Sequence, residues 1–438
     1  MDQLIPSLSC LLAPLEPAFR AEVFQSFRGT VGAWIVCLGR RTISRVWETT
    51  GRSDLQDHSA AFRLFSQAKW NFDEVMRLLL VSFAASLIPG TRVWIVVDDT
   101  LCHKRGGKVA FGGVFLDAVL STRKHKTFRY GNNWVMLGLV VSFSFRPDRY
   151  FCLPMMWRVY EKRGKKTKKE HRTKIMLAAE MVRVLSSWLP GREFLVVADS
   201  AYIGKPLLYN RPENVNFIGP MCWRAVITKT QRTKDGKEIY SSERLPTPRQ
   251  LLDDNSRPWK IRKFKFANGL RRRLQIKTLQ ACWPTVAGKR PAMVVLVRDP
   301  RGEWRDEALV STNPNLSAEE IVIGYCRRWS VEVAFADSKG LLGFHDQHVW
   351  KKESVERAAP MSWFVGTLVL LWYAREGSNH KMAKRHRPWY TKTEPTFSDM
   401  LATCRLALWE DWWSKRADKC AVPDATTEWL LEYMATAA

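Results

Sequence analysis

Tyr325, Arg328, Glu332 and Lys339 stand at successive offsets of 3, 4 and 7 residues in the segment YCRRWSVEVAFADSK. At about 100° per residue of α-helix, the four side chains fall within roughly 60° of one face. One carboxylate, two cations and a phenol make a poor core stripe. They suit a site that holds a metal ion beside a phosphodiester. The alternative is an intrahelical ladder of ion pairs, with Glu332 between Arg328 and Lys339.

Further acids stand where such a site would need them. Asp98 and Asp99 follow the apolar run RVWIVV, and Asp199 follows FLVVA. In open α/β sheets, sites form beyond the carboxyl ends of strands. Two strand-end acids and one helix acid can therefore converge. Side chains alternate along a strand, so only one of Asp98 and Asp99 can face the site. Each Asp taken singly is equally a cap of a loop or helix; the combination with Glu332, Arg328 and Lys339 carries the reading. Three hard oxygen ligands with open positions suit Mg²⁺ or Mn²⁺. Two such ions, about 4 Å apart, would activate a nucleophile and stabilise the leaving oxygen of an in-line displacement at phosphorus. The eight His form no HExxH, and the nine Cys form no CxxC pair. A zinc ribbon and a disulfide framework are thereby disfavoured, and reduced thiols in a cytoplasm expected.

Composition points to the same partner. Lys and Arg number 69 against 43 Asp and Glu, a formal net charge of +26. A chain this basic meets a polyanion, and nucleic acid fits better than a membrane surface because the charge is spread along the sequence. Hydrophobic residues make up 46% of the 438, which marks a globular rather than a disordered chain. The start MDQLIPSLSC has no secretory pattern. The longest apolar runs, at 134–145 and 361–374, are too short to span a bilayer. Most of the 20 Trp belong in a core, with a minority free to stack on unpaired bases.

The elements that must position the acids can be read from periodicity. Residues 1–90 are helical, with apolar residues at helical spacing over 19–38 and 72–87. Between these, 42–49, a turn at Gly51 and 57–65 read equally as a helix-turn-helix DNA reader or as part of a helical bundle. Strand texture begins at Arg92, followed by the basic glycine-rich stretch HKRGGKVAFGGV and two more strands. The stretch EKRGKKTKKEHRTK carries eight Lys/Arg against two Glu and is expected to contact phosphates, chiefly through Lys165, Lys166, Lys168 and Lys169. A helix over 174–189, stopped by Pro190-Gly191, leads into a strand–Asp–helix unit around Asp199. Residues 215–312 form a basic, mainly β block. The span 313–343 reads as one long helix, opened by the capping box Ser317-Ala318-Glu319-Glu320. The expected division is 1–90, 91–214, 215–312, 313–375 and 376–438.

The spacing Tyr325-x2-Arg328-x3-Glu332-x6-Lys339 resembles, without a gap, the Y-R-E-K signature of a large group of bacterial insertion-sequence transposases. Asp199-Ser200-Ala201-Tyr202 is similar to the D-x-[G/A]-[Y/F] motif around that group's second acid, and Asp99-Thr100 to the Asp-Thr of its first. The likeness covers about 90–345. It implies a DDE transposase: an α/β, ribonuclease H-like mixed sheet with flanking helices, interrupted by a β-rich insertion, with helical N- and C-terminal regions. It implies that Asp99, Asp199 and Glu332 are catalytic and bind Mg²⁺ or Mn²⁺, with two ions in the active complex. Asp99 is preferred to Asp98 because it precedes Thr100. Tyr325, Arg328 and Lys339 would contact phosphates near the transposon end. In such enzymes an insertion Trp can stack on a flipped base; Trp223, Trp259, Trp283 and Trp304 are the candidates here, with packing in the core the favoured alternative for each. The implied partners are double-stranded DNA, as transposon ends and target, and a second copy of the chain, with no membrane; the place is the bacterial cytoplasm, at the nucleoid. A catalytically silent DNA-binding derivative and a structure-specific nuclease on the same fold are the alternatives.

Overall fold

The apolar run before the two acids forms an interior strand of the sheet. In the computed structural model, β1 (Arg92–His103) continues beyond Asp98 and Asp99. The sequence suggests that the strand stops at the acids, since Asp is poor in strands. The strand persists because β3 (Phe128–Phe143) pairs with it without a break from Ile95↔Leu139 to His103↔Gly131. Cross-strand pairing here overrides local preference.

The structure describes residues 4–50, 59–163, 171–235, 238–380, 394–417 and 433–436, together with 389, 392, 430 and 431. The turn expected at Gly51, and Lys165, Lys166, Lys168 and Lys169, lie outside the described residues.

β2 (Gly113–Leu116) and β4 (Arg146–Tyr160) pair with β3, and β5 (Glu193–Ala198) lies parallel to β1. β6 (Val215–Pro220) lies parallel to β5. The order β4-β3-β1-β5-β6, with β3 antiparallel to β1 and β4, is the core of a ribonuclease H-like fold. β7 (Thr228–Arg232), β8 (Glu238–Arg244), β9 (Lys260–Lys265), β10 (Arg271–Trp283), β11 (Gly288–Arg298) and β12 (Glu307–Ser311) follow. β12 pairs antiparallel with β6, so the β-rich block at 215–312 extends the core into one open sheet of 12 strands.

Among the described residues, five α-helices precede the sheet: α1 (Pro6–Leu12), α2 (Ala21–Val36), α3 (Ile43–Thr49), α4 (Ser59–Ser66) and α5 (Phe72–Leu87). α6 (Lys174–Trp188) and α7 (Lys205–Leu208) flank β5, and α8 (Pro248–Asp253) lies within the β-rich block. After β12 come α9 (Ala318–Cys326), α10 (Trp329–Leu341), α11 (Lys352–Ala358), α12 (Met361–Arg375) and α13 (Phe397–Ala417). α12 is apolar all round and buried from Met361 to Tyr373. It contacts β4, α1, α2, α10 and α13 and so forms the hub of the helical layer. The N-terminal helices share this core. Trp34 donates its indole N–H to the Leu342 carbonyl at 3.0 Å, and Arg357 donates to the Phe65 and Trp70 carbonyls at 3.2 and 2.7 Å. Among the described residues, no helix is long and apolar enough to cross a membrane.

The single helix expected over 313–343 is two helices. The capping box at Ser317 and Glu320 forms as expected. At the junction, however, Arg327 N–H bonds to the Gly324 carbonyl and Arg328 N–H to that of Tyr325, both at 3.1 Å. These i→i−3 bonds are tighter than those of an α-helix. The cause lies across the interface. The Arg327 guanidinium sits 3.8 Å from the Trp94 ring centre and 4.6 Å from that of Tyr150. Gly324 approaches the same indole so closely that a Cβ there would lie 2.8 Å from it.

Candidate active site

The parallel pairing of β1 with β5 brings the first two acids together. Val97 is in register with Ala198, so the next residue on each strand is an acid, Asp98 or Asp199. Trp94, Val96 and Asp98 point to one face of β1, and Ile95, Val97 and Asp99 to the other. Trp94 meets Gly324 and Arg327. The Asp98 face is therefore the one covered by the junction of α9 and α10.

At that junction Arg328 holds two acids. Its Nη1 donates to Asp98 Oδ2 at 3.1 Å, and its Nη2 to Glu332 Oε1 at 2.7 Å. The Asp98 and Arg328 side chains are only 16% and 19% exposed, while Glu332 keeps 36%. Burial first, then the charges of Asp199 and Asp99, raise the Asp98 carboxyl to about 7, against the pull of the Asp99 N–H and Arg328. Burial also raises Asp199, whose Oδ1 accepts from the Ala201 N–H at 2.9 Å. Tyr325 is half-buried, and the charges of Arg328 and Asp199 both act on its hydroxyl.

Asp99 looks the other way. Its Oδ2 lies 2.5 Å from Lys174 Nζ, at the start of α6, and its Oδ1 accepts from the Tyr202 hydroxyl at 2.8 Å. Tyr202 is buried, three residues after Asp199. The Asp99–Tyr202 bond thus ties the middle of β1 to the turn that carries Asp199. Tyr202 closes the motif that the sequence likeness marks around Asp199, but nothing in the sequence pairs it with Asp99, and Lys174 does not stand out as a site residue. Only the alternation of β1, counted from its contact with Trp94, assigns the two acids to their faces.

Lys339 lies apart from Arg328 and Glu332. Seven residues along α10 displace it by about 10 Å from Glu332. Burial lowers its pKa, and the acidic groups that act on it are Asp117 and Cys102. It neighbours a histidine pair: the rings of His103 and His345 stack 4.9 Å apart, and His103 Nε2 lies 2.6 Å from Asp117 Oδ2. Burial, and then Lys339, pushes His345 down to about 4. Beyond the pair opens a cleft of about 890 Å³ whose lining includes Arg40, Lys104, Arg105, Lys108, His348 and Trp350. The structure thus gathers Asp98, Asp199, Tyr325, Arg328 and Glu332, with Asp99 near enough for its charge to act on Asp199, and sets Lys339 beside His345.

The tryptophans of the β-rich block are packed. Trp283 is buried, Trp259 has Lys277 and Arg298 over its ring at 4.5 and 4.7 Å, and the Arg272 guanidinium lies 4.3 Å from the Trp304 ring centre. Trp223 is partly buried against the core.

Among the described residues, no three His, Cys, Asp or Glu side chains stand close enough together to hold a metal ion as they are. Arg328 explains this at Asp98 and Glu332, since its guanidinium already joins them. The donor set is nonetheless that of a hard divalent ion: carboxylate oxygens, with no thiol or imidazole.

A family model described as DDE superfamily endonuclease matches residues 14–273, more than half of the chain. The chain belongs to the DDE superfamily endonucleases. The match takes in Asp98, Asp99 and Asp199 and ends before Glu332. No curated protein matches the chain.

Proposed function

We propose that the protein is a metal-dependent DNA transposase of this superfamily. It binds the terminal inverted repeats of a mobile element, pairs two ends as a homodimer, cleaves them and joins the freed 3′-OH to target DNA. The observation that carries this reading is one guanidinium shared by Asp98 and Glu332 beside Asp199, on a chain of an endonuclease family.

Asp98, Asp199 and Glu332 would hold a divalent ion, Mg²⁺ or Mn²⁺, which would supply an activated water and counter-charge for the leaving oxygen. Asp98 takes the place assigned to Asp99 from sequence, because it is the member of the doublet on the Arg328 face. Asp99 is a positioning residue that fixes the Asp199 turn through Tyr202 and Lys174. Arg328 neutralises the acids when no metal is bound; its fork of donors then turns to the scissile phosphate, which it can grip at two oxygens. Tyr325 stands beside it, and Lys339 meets the DNA strand further along α10.

The test is incubation of a labelled terminal-repeat duplex with the protein in Mg²⁺, Mn²⁺ or EDTA, with products sized on a denaturing gel. Cleavage at the element's end in either metal, none in EDTA, and a joined product with target DNA are expected. Cleavage without joining would make the protein a structure-specific nuclease. Full cleavage in EDTA would contradict the metal mechanism, and binding without any cleavage the enzyme.

A further inference from the structure

We propose that the hairpin of β9 and β10 is a second DNA-gripping surface, a two-stranded ribbon that contacts duplex phosphates well away from the active site. The proposal rests on DNA being the substrate.

Antiparallel register sets Lys263 opposite Arg273 and Lys265 opposite Arg271. Directly opposed residues on paired strands share a face, with Cβ atoms about 5 Å apart, and like charges there are destabilising. All four side chains are exposed. None forms an ion pair or a side-chain hydrogen bond among the described residues. The other face of the same hairpin supplies the contrast. There Phe264 is buried, and Arg272, its cross-strand partner, lies 3.1 Å from Asp299 and 2.7 Å from Glu303. The fold thus supplies acids to Arg272 and, among the described residues, none to the four outer cations or to Lys260 and Arg262 on the inner face. Two ranks of unneutralised cations repel one another, and an anionic polymer laid over them would relieve that repulsion.

The shape fits as well as the charge. β11 pairs with β10 only from Gln275 onward, so residues 271–274 have β9 as their sole strand partner among the described strands. A free two-stranded ribbon of this kind is narrow enough to enter a major groove about 12 Å wide. In the sheet, β10 lies five strand steps from β1. At about 4.8 Å per step that is roughly 24 Å across the sheet. The paired register puts Asp98 level with Thr278, so the ribbon at 271–274 also lies further along the strands, roughly 30 Å from Asp98 in all, or about 9 base pairs of a duplex rising 3.4 Å each.

The experiment compares the full-length wild type with a variant carrying Lys263→Gln, Lys265→Gln, Arg271→Gln and Arg273→Gln. Binding to a fluorescent 30-base-pair duplex is followed by anisotropy between 50 and 300 mM NaCl, and thermal melting is recorded at low salt. The slope of log affinity against log salt should become shallower by about 3–4, since each phosphate contact contributes about 0.9. The variant should melt no lower than wild type, because removing facing like charges relieves repulsion. A slope unchanged from a binding-competent wild type overturns the ribbon and leaves the functional reading standing. A melting temperature that falls means that the four cations are structural, and also overturns it. A wild type with no affinity for duplex DNA removes the functional reading, and the ribbon with it.

Discussion

Asp98 lies 3.1 Å from a guanidinium 230 residues further along the chain, that of Arg328, whereas its neighbour Asp99 is bound by Lys174 and Tyr202. The doublet is therefore divided between two tasks. One acid faces the helix junction that brings Glu332, and the other braces the turn that brings Asp199.

Arg328→Ala should slow single-turnover cleavage by about 10²-fold, the scale expected when a scissile phosphate loses its orientation. Arg328→Lys should recover part of the rate, because a point charge replaces a two-pronged donor. In EDTA the alanine variant leaves Asp98 largely buried without its cation, which should cost roughly 1–3 kcal/mol in urea unfolding. Adding Mn²⁺ should return most of that loss. A normal rate with normal cut position would reduce Arg328 to an ion-pair partner of Glu332.

Gly324→Ala tests the junction itself. The added Cβ would lie 2.8 Å from the Trp94 indole, and overpacking of this kind costs about 1–3 kcal/mol. Arg328 follows four residues on, so cleavage should fall together with stability. Urea unfolding and single-turnover rates measured on the same preparation check this. A variant as stable and active as wild type would show that the contact between α9 and β1 does not set the position of Arg328.

Much of this candidate site can be read in the sequence. The alternation of strands and helices, the capping box at Ser317 and the types of the three acids all rest on local signals. Two features cannot be so read. Nothing in YCRRWSVEV breaks a helix locally; the break comes from Trp94 and Tyr150, which clamp Arg327 from strands far away in sequence. The division of Asp98 from Asp99 depends on which face of β1 meets α9, a tertiary fact. The Thr after Asp99 pointed to Asp99, while the register Val97↔Ala198 and the contact with Arg328 favour Asp98. Tyr325 shares a helical stripe with Glu332 and Lys339 only if the helix is unbroken, and the junction at 327–328 falls between them.

The pH dependence of stability should carry the mark of Asp98. Its carboxyl titrates near 7 in the folded protein, chiefly through burial, against about 3.9 in an unfolded chain. Between those values the folded state keeps a proton that the unfolded state has lost, so stability falls as pH rises from about 4 to about 7 and then levels. Asp98→Asn removes this contribution and should gain on wild type through that window, by on the order of 2–4 kcal/mol at pH 7.5 in EDTA. Urea titrations at pH 5, 6 and 7.5 decide it. Parallel wild-type and variant curves would mean that Asp98 titrates as an ordinary surface acid.

The division of the doublet is tested most directly by calorimetric titration of Mn²⁺ into Asp98→Asn and Asp99→Asn proteins bound to terminal DNA, with single-turnover cleavage of the same complexes. Asp98→Asn should lose both Mn²⁺ binding and cleavage while still binding DNA, because a ligand charge is gone. Asp99→Asn should keep Mn²⁺ binding and lose rate only in part, with Tyr202 and Lys174 less firmly held. The reverse result, with metal binding and cleavage lost in Asp99→Asn and kept in Asp98→Asn, would contradict the account.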